Sequence, residues 1–377
     1  MAFTIAKAGG TVPGPEERLR FGEDVAGPED QVTVLRKKKA RFRTVLVIGS
    51  EFADTEEKKM PEKKSQRWAW LRAQETGLAI PLVLLICIIG LVNPLFFDPQ
   101  NIIDVLRNTS FMFIVAAAMT FVLIAAGLDL SVGSVIAFGG IVGSMVLAAG
   151  APIFLGILAG VLTGAGIGFI NGFVVVKFGI PPLIVTLGMM YAGQGAVLVV
   201  TRGTPVYPLP AAFNAIGQGN LAGIPYVVLI AAVVGIVAHI VLTRTTYGRM
   251  VFATGGNAET SRLSGINVNF VNLTVYILTG MAAAFVGMLM ASRLASAQPG
   301  AGAGWELQVI AAVIIGGTSM FGGSGSILGS LLGVLFMNVV STGMIMMRIS
   351  AYWQNLVVGV IIVVAVGIDQ YRRRKVA

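Results

Sequence analysis

The sequence predicts an all-α, polytopic membrane protein, a tightly packed and glycine-rich bundle of about ten transmembrane helices. Three observations lead there. Hydrophobic residues make up 55% of the 377 residues and charged ones only 12%, with a mean hydropathy of +0.83; soluble domains carry roughly 25% charged residues. Apolar runs recur from Leu78 to Ile368, with lengths near the roughly 20 residues that a helix needs to cross a bilayer core. Glycine is abundant, at 48 residues, and much of it falls inside those runs.

The first 75 residues stand apart. They hold 15 of the 27 Lys/Arg and 12 of the 18 Asp/Glu. "RKKKARFR" (36–43) is basic and "EEKKMPEKKSQR" (56–67) is mixed in charge, while the one apolar piece, "TVLVIG" (44–49), is too short to span. A secretory signal would place a short basic region directly before an apolar stretch near the start, and none is seen. Three readings stand: a disordered cytoplasmic tail, a basic arm resting on anionic lipid, or a start codon set too far upstream. Residues 76–371 then form the membrane domain, and 372–377 form a basic end.

The apolar runs lie near 78–97, 111–127, 131–149, 153–176, 182–200, 224–242, 270–291, 306–319, 326–347 and 352–369. The eighth is short and glycine-rich. In the fourth, Gly156, Gly160, Gly164, Gly168 and Gly172 recur every fourth residue, and Gly325, Gly329 and Gly333 repeat the pattern in the ninth. On a helix each column makes a flat face along which another backbone can approach closely.

Charge sets an orientation. With the N-terminus inside, the inner loops hold Lys177, Arg244, Arg249, Arg262, Arg372, Arg373, Arg374 and Lys375, and the outer loops hold Arg107, Arg202, Arg293 and Arg348. Basic residues gather on the cytoplasmic side, so both termini and the loop 243–269 are expected there. The same bias accounts for the net charge of +9 without a nucleic-acid partner. Cys87 is the single cysteine, so no disulfide within the chain can form.

Enzyme chemistry finds no foothold. The sequence has no GxxxxGK[ST] nucleotide loop, no HExxH and no GxSxG, the motifs that would mark bound phosphate, zinc or a nucleophilic serine. His239 stands alone in the sixth run. Asp129, Glu306 and Asp369 lie at run ends, whereas ion-coupled carriers usually keep ionisable groups within the spans. Neutral polar residues do occur within runs: Asn171, Thr186, Gln194, Thr279, Asn338, Ser341 and Gln354. They suit either hydrogen bonds between helices or the lining of a path for an uncharged polar solute; Asn171, Thr186, Gln194, Asn338 and Gln354 are the candidates for that path.

Two polar, glycine-rich interruptions fall on the inner side. One is "AAGLDLSVGS" (125–134), with Asp129 and Ser131. The other is "IGGTSMFGGSGS" (315–326), with Gly316, Gly317, Thr318, Gly322 and Gly323. They mark corresponding places in two related halves. Asp129 is placed to cap the third span by accepting backbone N–H groups near Gly133. A third polar stretch, "GGNAETSRLSGINV" (255–268), reads as a short helix. Asn257 is its N-cap, Glu259 sits at the positive end of the dipole, and Gly265 takes the left-handed position that ends it. So short a helix is marginal alone, so it is either a supported linker or an element gripped by another protein.

"TTYGRMVFATGGNAETSRLSGINV" resembles the cytoplasmic coupling loop of ribose-type ABC importer permeases. "GLDLSVGS", "RLASAQPGAGAGWELQVIAAVIIGGTSMFGGSGSILGSLLG" and the "YWQ" before the last run share the resemblance, which covers about residues 80–371. It implies a permease of the bacterial plasma membrane that works as a homodimer or paired permease in the lipid bilayer. Cytoplasmic ATPase subunits would hold ATP–Mg, and a periplasmic or extracellular binding protein would deliver a monosaccharide, ribose foremost. This chain would itself carry no cofactor, metal or catalytic residue. The coupling helix would comprise Asn257, Ala258, Glu259, Thr260, Arg262, Leu263 and Gly265, flanked by Arg244, Gly248 and Arg249. Arg202, Arg293 and the segment 296–306 would face the binding protein. The competing reading is a stand-alone secondary carrier for a small polar solute.

Overall fold

The structure, a computed structural model, describes residues 76–376. The segment 1–75, read above as a tail, lies outside the described residues. Thirteen α-helices follow one another: α1 (Thr76–Val92), α2 (Pro99–Ile124), α3 (Val132–Ala148), α4 (Ile153–Phe178), α5 (Pro182–Thr201), α6 (Ala211–Gln218), α7 (Tyr226–Arg244), α8 (Thr246–Gly256), α9 (Ala258–Leu263), α10 (Val268–Leu294), α11 (Trp305–Ile315), α12 (Ile327–Met346) and α13 (Ala351–Val376). A two-residue hairpin, β1 (Asn220–Leu221) with β2 (Ile224–Pro225), is the one sheet among the described residues.

The all-α membrane architecture matches the expectation. Among the described residues six helices, α2, α4, α5, α7, α10 and α12, are long and apolar enough to cross a membrane, while α1, α3 and α11 are apolar but shorter. The expected eighth span is α11, of 11 residues. At 1.5 Å per residue it extends roughly 16 Å, about half of a bilayer core.

The second span begins earlier than the apolar run. Asp98 accepts the N–H of Gln100 at 2.9 Å and Pro99 occupies the first helical position, so cap chemistry starts α2 before its sequence turns apolar.

Helices α2 and α10 form the buried axis. The apolar window of α2 is 89% buried, and that of α5 only 17%. The glycine column foreseen in α4, whose five glycines are all buried, packs that helix along α10 and α3. A methyl group on Gly164 would overlap the Gly280 carbonyl, and one on Gly168 the Tyr276 carbonyl. The second column does the same for α11 and α12, where Gly316 and Gly329 face each other and Gly333 rests on Ala312. Lipid offers no hydrophobic force between helices, so close backbone packing of this kind supplies the cohesion. The outward faces of α5 and α7, with Ile184, Val199, Val233 and Ile236 exposed, suit hydrocarbon rather than water.

Candidate functional site

The loop 243–269 is not open chain. Thr245 accepts the Gly248 N–H at 3.2 Å and starts α8, a helix the sequence reading missed. Helix α8 lies on the bundle: Tyr247 stacks on Phe121 and shares a 2.8 Å hydrogen bond with Thr274 of α10. Gly248 is buried against the Leu242 carbonyl, while Arg244 and Arg249 are exposed.

Helix α9 follows at once and has the expected ends. The Asn257 side chain accepts the Thr260 N–H at 2.9 Å. Gly265 has φ +84° and donates to the Arg262 carbonyl at 3.0 Å. Ser261 alone turns inward; Asn257, Ala258, Glu259, Thr260, Arg262 and Leu263 are exposed, Leu263 at 82%. Glu259 and Arg262 approach at 3.5 Å. Such an exposed pair contributes little stability.

What supports so short a helix is the preceding glycine pair. Gly255 sits so close to the Ile124 carbonyl, at the end of α2, that a side chain there would overlap it. The Gly323 N–H donates to that same carbonyl at 2.9 Å. Gly322, with φ +87°, faces the Gly255 carbonyl and Ala126. Both glycine-rich interruptions therefore meet under the root of α9, at one end of the bundle.

Above this platform the α2–α3 break holds a buried polar cluster. Asp129 does not cap α3 near Gly133 as expected. Its Oδ1 accepts both the N–H and the hydroxyl of Ser131, at 2.9 and 2.6 Å, in a turn that closes on itself. Because Ser131 is the residue just before the helix, its own N–H lies nearer the carboxylate than any helical N–H does. Asn171 of α4 donates to the Ser131 hydroxyl at 2.9 Å. Thr186 of α5 donates to Pro182 at 2.9 Å and lies 3.4 Å from the Leu128 carbonyl. Tyr276 of α10 donates to that carbonyl at 3.3 Å. Asp129, Ser131, Asn171 and Thr186 are essentially inaccessible. Buried polar groups need partners, and these partners tie three helices, α4, α5 and α10, to the break.

A family model described as "Branched-chain amino acid transport system / permease component" matches residues 101–366. The ribose import permease protein RbsC of Haemophilus influenzae is 40% identical over 78% of this chain and 92% of its own length. RbsC of Bacillus subtilis is 36% identical, covering 79% and 93%. The L-arabinose ABC transporter permease protein AraH of Azospirillum brasilense is 35% identical, covering 81% and 90%. The chain belongs to this permease family. It is an ABC import permease subunit and a multi-pass membrane protein. No solved structure matches it.

The residues first read as a path do not share one place in the permease. Asn171 and Thr186 belong to the buried cluster. Asn338 donates to Val334 of its own helix at 3.1 Å. The side chain of Gln354 lies outside the described residues. Of the described path candidates, Gln194 lines an open recess, beside Gly133 and Ser134. Thr318 is buried with Gly325 packed on it. Tyr276 was not foreseen, although a tyrosine inside an apolar run needs a partner for its hydroxyl and so signals a polar neighbour.

Proposed function

We propose that this permease imports a monosaccharide, ribose foremost, with ATP hydrolysed by separate cytoplasmic ATPase subunits and the sugar delivered by an extracytoplasmic binding protein. The observation that carries the reading is the exposed, doubly capped α9 rooted on the ends of α2 and of the α11–α12 turn. Such a lever suits a motor that pushes from outside the bundle. Its residues Asn257–Gly265 form the docking element, and Arg244 and Arg249 add basic charge beside it. Ribose is favoured over other sugars because two of the similar proteins are ribose import permeases.

In this reading the nine apolar helices named above and α13 make the ten spans of the membrane domain of residues 76–371, with α3 and α11 starting partway through it. Both termini and the segment 1–75 are cytoplasmic, following the basic bias. Two permease subunits pair in the bilayer, and Arg202 and Arg293 face the binding protein.

The test is reconstitution in liposomes. With the ATPase and a ribose-loaded binding protein, ATP should drive ribose uptake. Uptake by the chain alone under an ion gradient would overturn the reading in favour of a secondary carrier.

A further inference from the structure

The connection between α10 and α11 dips into the bundle. It is pinned at its start by paired hydrogen bonds, each 3.0 Å, between Ala297 and Val206, a residue shortly after α5. Gly302, with φ +76°, then packs against Ile136 and the Gly133 carbonyl in the first turns of α3. The Ile136 carbonyl also meets Gly287 of α10, which lies roughly 10 Å below the end of that helix at 1.5 Å per residue. The connection thus runs as irregular backbone at membrane depth. Such backbone is tolerated there only where protein buries it or where it lines a water-filled cavity.

Part of this backbone does line a cavity. Pro299, Gly300 and Ala303 form one wall of the open recess, and α3 and α5 form the others. Counted up to its mouth, the recess holds about 590 Å³ of empty space, enough to admit a small molecule. The Gly300 N–H and the Pro299 carbonyl have no hydrogen-bond partner among the described residues, so they turn to water or to a solute. Gln194 enters from α5. Its neighbour Gly193 packs so closely on the Ser134 hydroxyl that a side chain there would overlap it, and this seats Gln194 at the recess. Gln194 lies in the last two turns of α5, roughly 10 Å below the end of that helix, at the depth that Gly302 reaches. It is half-buried, and its amide has no partner among the described residues. Ser134 donates its proton to the Ser131 carbonyl at 2.7 Å, which leaves its oxygen as an acceptor only. Among the described residues no charged side chain lines the recess.

We infer that this recess binds a neutral, polyhydroxylated solute within the membrane, with the Gln194 amide and the backbone of Pro299 and Gly300 hydrogen-bonding its hydroxyls. The chemistry fits that class. An amide donates and accepts at once, as a hydroxyl does, and Leu198 and the Pro299 ring offer apolar surface to C–H faces. An ion or a zwitterionic amino acid would meet no opposite charge there. The inference rests on the sugar-import reading above.

The experiment uses the full transporter with its ATPase and binding protein in liposomes. Wild-type uptake of ribose and of L-arabinose is measured first. For a sugar that is imported, Gln194→Ala should lower uptake about fivefold, the size of one lost hydrogen bond. Leu198→Trp should also lower it, by filling the recess. Val199→Trp is the control: Val199 is 79% exposed and lies outside the recess, so uptake should stay within about twofold of wild type. In a Cys87→Ser background, Ala303→Cys in the permease–ATPase complex should react with an impermeant thiol reagent, and saturating sugar should slow that reaction. Gln194→Ala uptake within about twofold of wild type overturns the inference alone, as does equal uptake in Leu198→Trp and Val199→Trp. If Gln194→Ala does not assemble with the ATPase, an unprotected Ala303→Cys overturns it. A wild type that moves neither sugar overturns the sugar-import reading and the inference with it.

Discussion

Gly323 donates its backbone N–H to the carbonyl of Ile124 at 2.9 Å, joining the turn after α11 to the last residue of α2. Gly255 presses on the same carbonyl. One acceptor thus anchors three segments far apart in sequence, and α9 begins two residues beyond Gly256. A force on α9 has a short, stiff route into both α2 and the α11–α12 pair.

Gly255→Ala tests that route. The added methyl has nowhere to go except into the Ile124 carbonyl, so the joint must open. Overpacking of this kind costs about 1–3 kcal/mol. The thermal midpoint of the purified permease should fall, and sugar uptake should fall with it. Gly256→Ala is the control, because a methyl there meets open space. Equal midpoints for the two variants would show that the joint is not tight.

Reversing charge on α9 separates docking from folding. Glu259 and Arg262 are exposed and their mutual contact is weak. Glu259→Lys or Arg262→Glu should leave the thermal midpoint unchanged. Stimulation of the ATPase by loaded binding protein should fall about tenfold or more, as for a charge lost from a docked interface. Unchanged stimulation would remove α9 from the docking surface.

The cap of α9 can be read at a single amide. Asn257→Ala removes the acceptor of the Thr260 N–H and should destabilise the helix by about 1 kcal/mol. Hydrogen exchange at Thr260 should speed up roughly fivefold. Asn257→Asp keeps a side-chain acceptor and should restore slow exchange.

The polar cluster predicts an asymmetry between two changes at one residue. Asp129→Ala strands the buried N–H and hydroxyl of Ser131 at a cost of about 1–3 kcal/mol for each donor. Asp129→Asn keeps an acceptor oxygen in place. The alanine variant should melt well below the asparagine variant, and near-identical midpoints would mean that water or another group satisfies Ser131.

Membrane class, the ends of α9 and the glycine faces of α4 and α12 were all legible in the chain itself. They depend on local chemistry: run length, the side chain of Asn257, the left-handed freedom of Gly265, and a four-residue repeat that one helix displays. The hidden features are of another kind. In lipid the outward and inward faces of a helix are both apolar, so no periodicity marks α2 as core and α5 as periphery. Asn171 and Thr186 looked like path residues because sequence cannot show that Ser131 and Leu128 stand beside them. The half-length of α11 was masked by the apolar stretch around it, and the convergence of Gly255, Gly323 and Ile124 exists only once the chain has crossed the bundle several times. Local propensity determined which segments are helices and where α9 starts and stops. Long-range packing of backbones, possible only where glycine lets them touch, decided that α9 stands on α2 and that Glu306 faces Gly133.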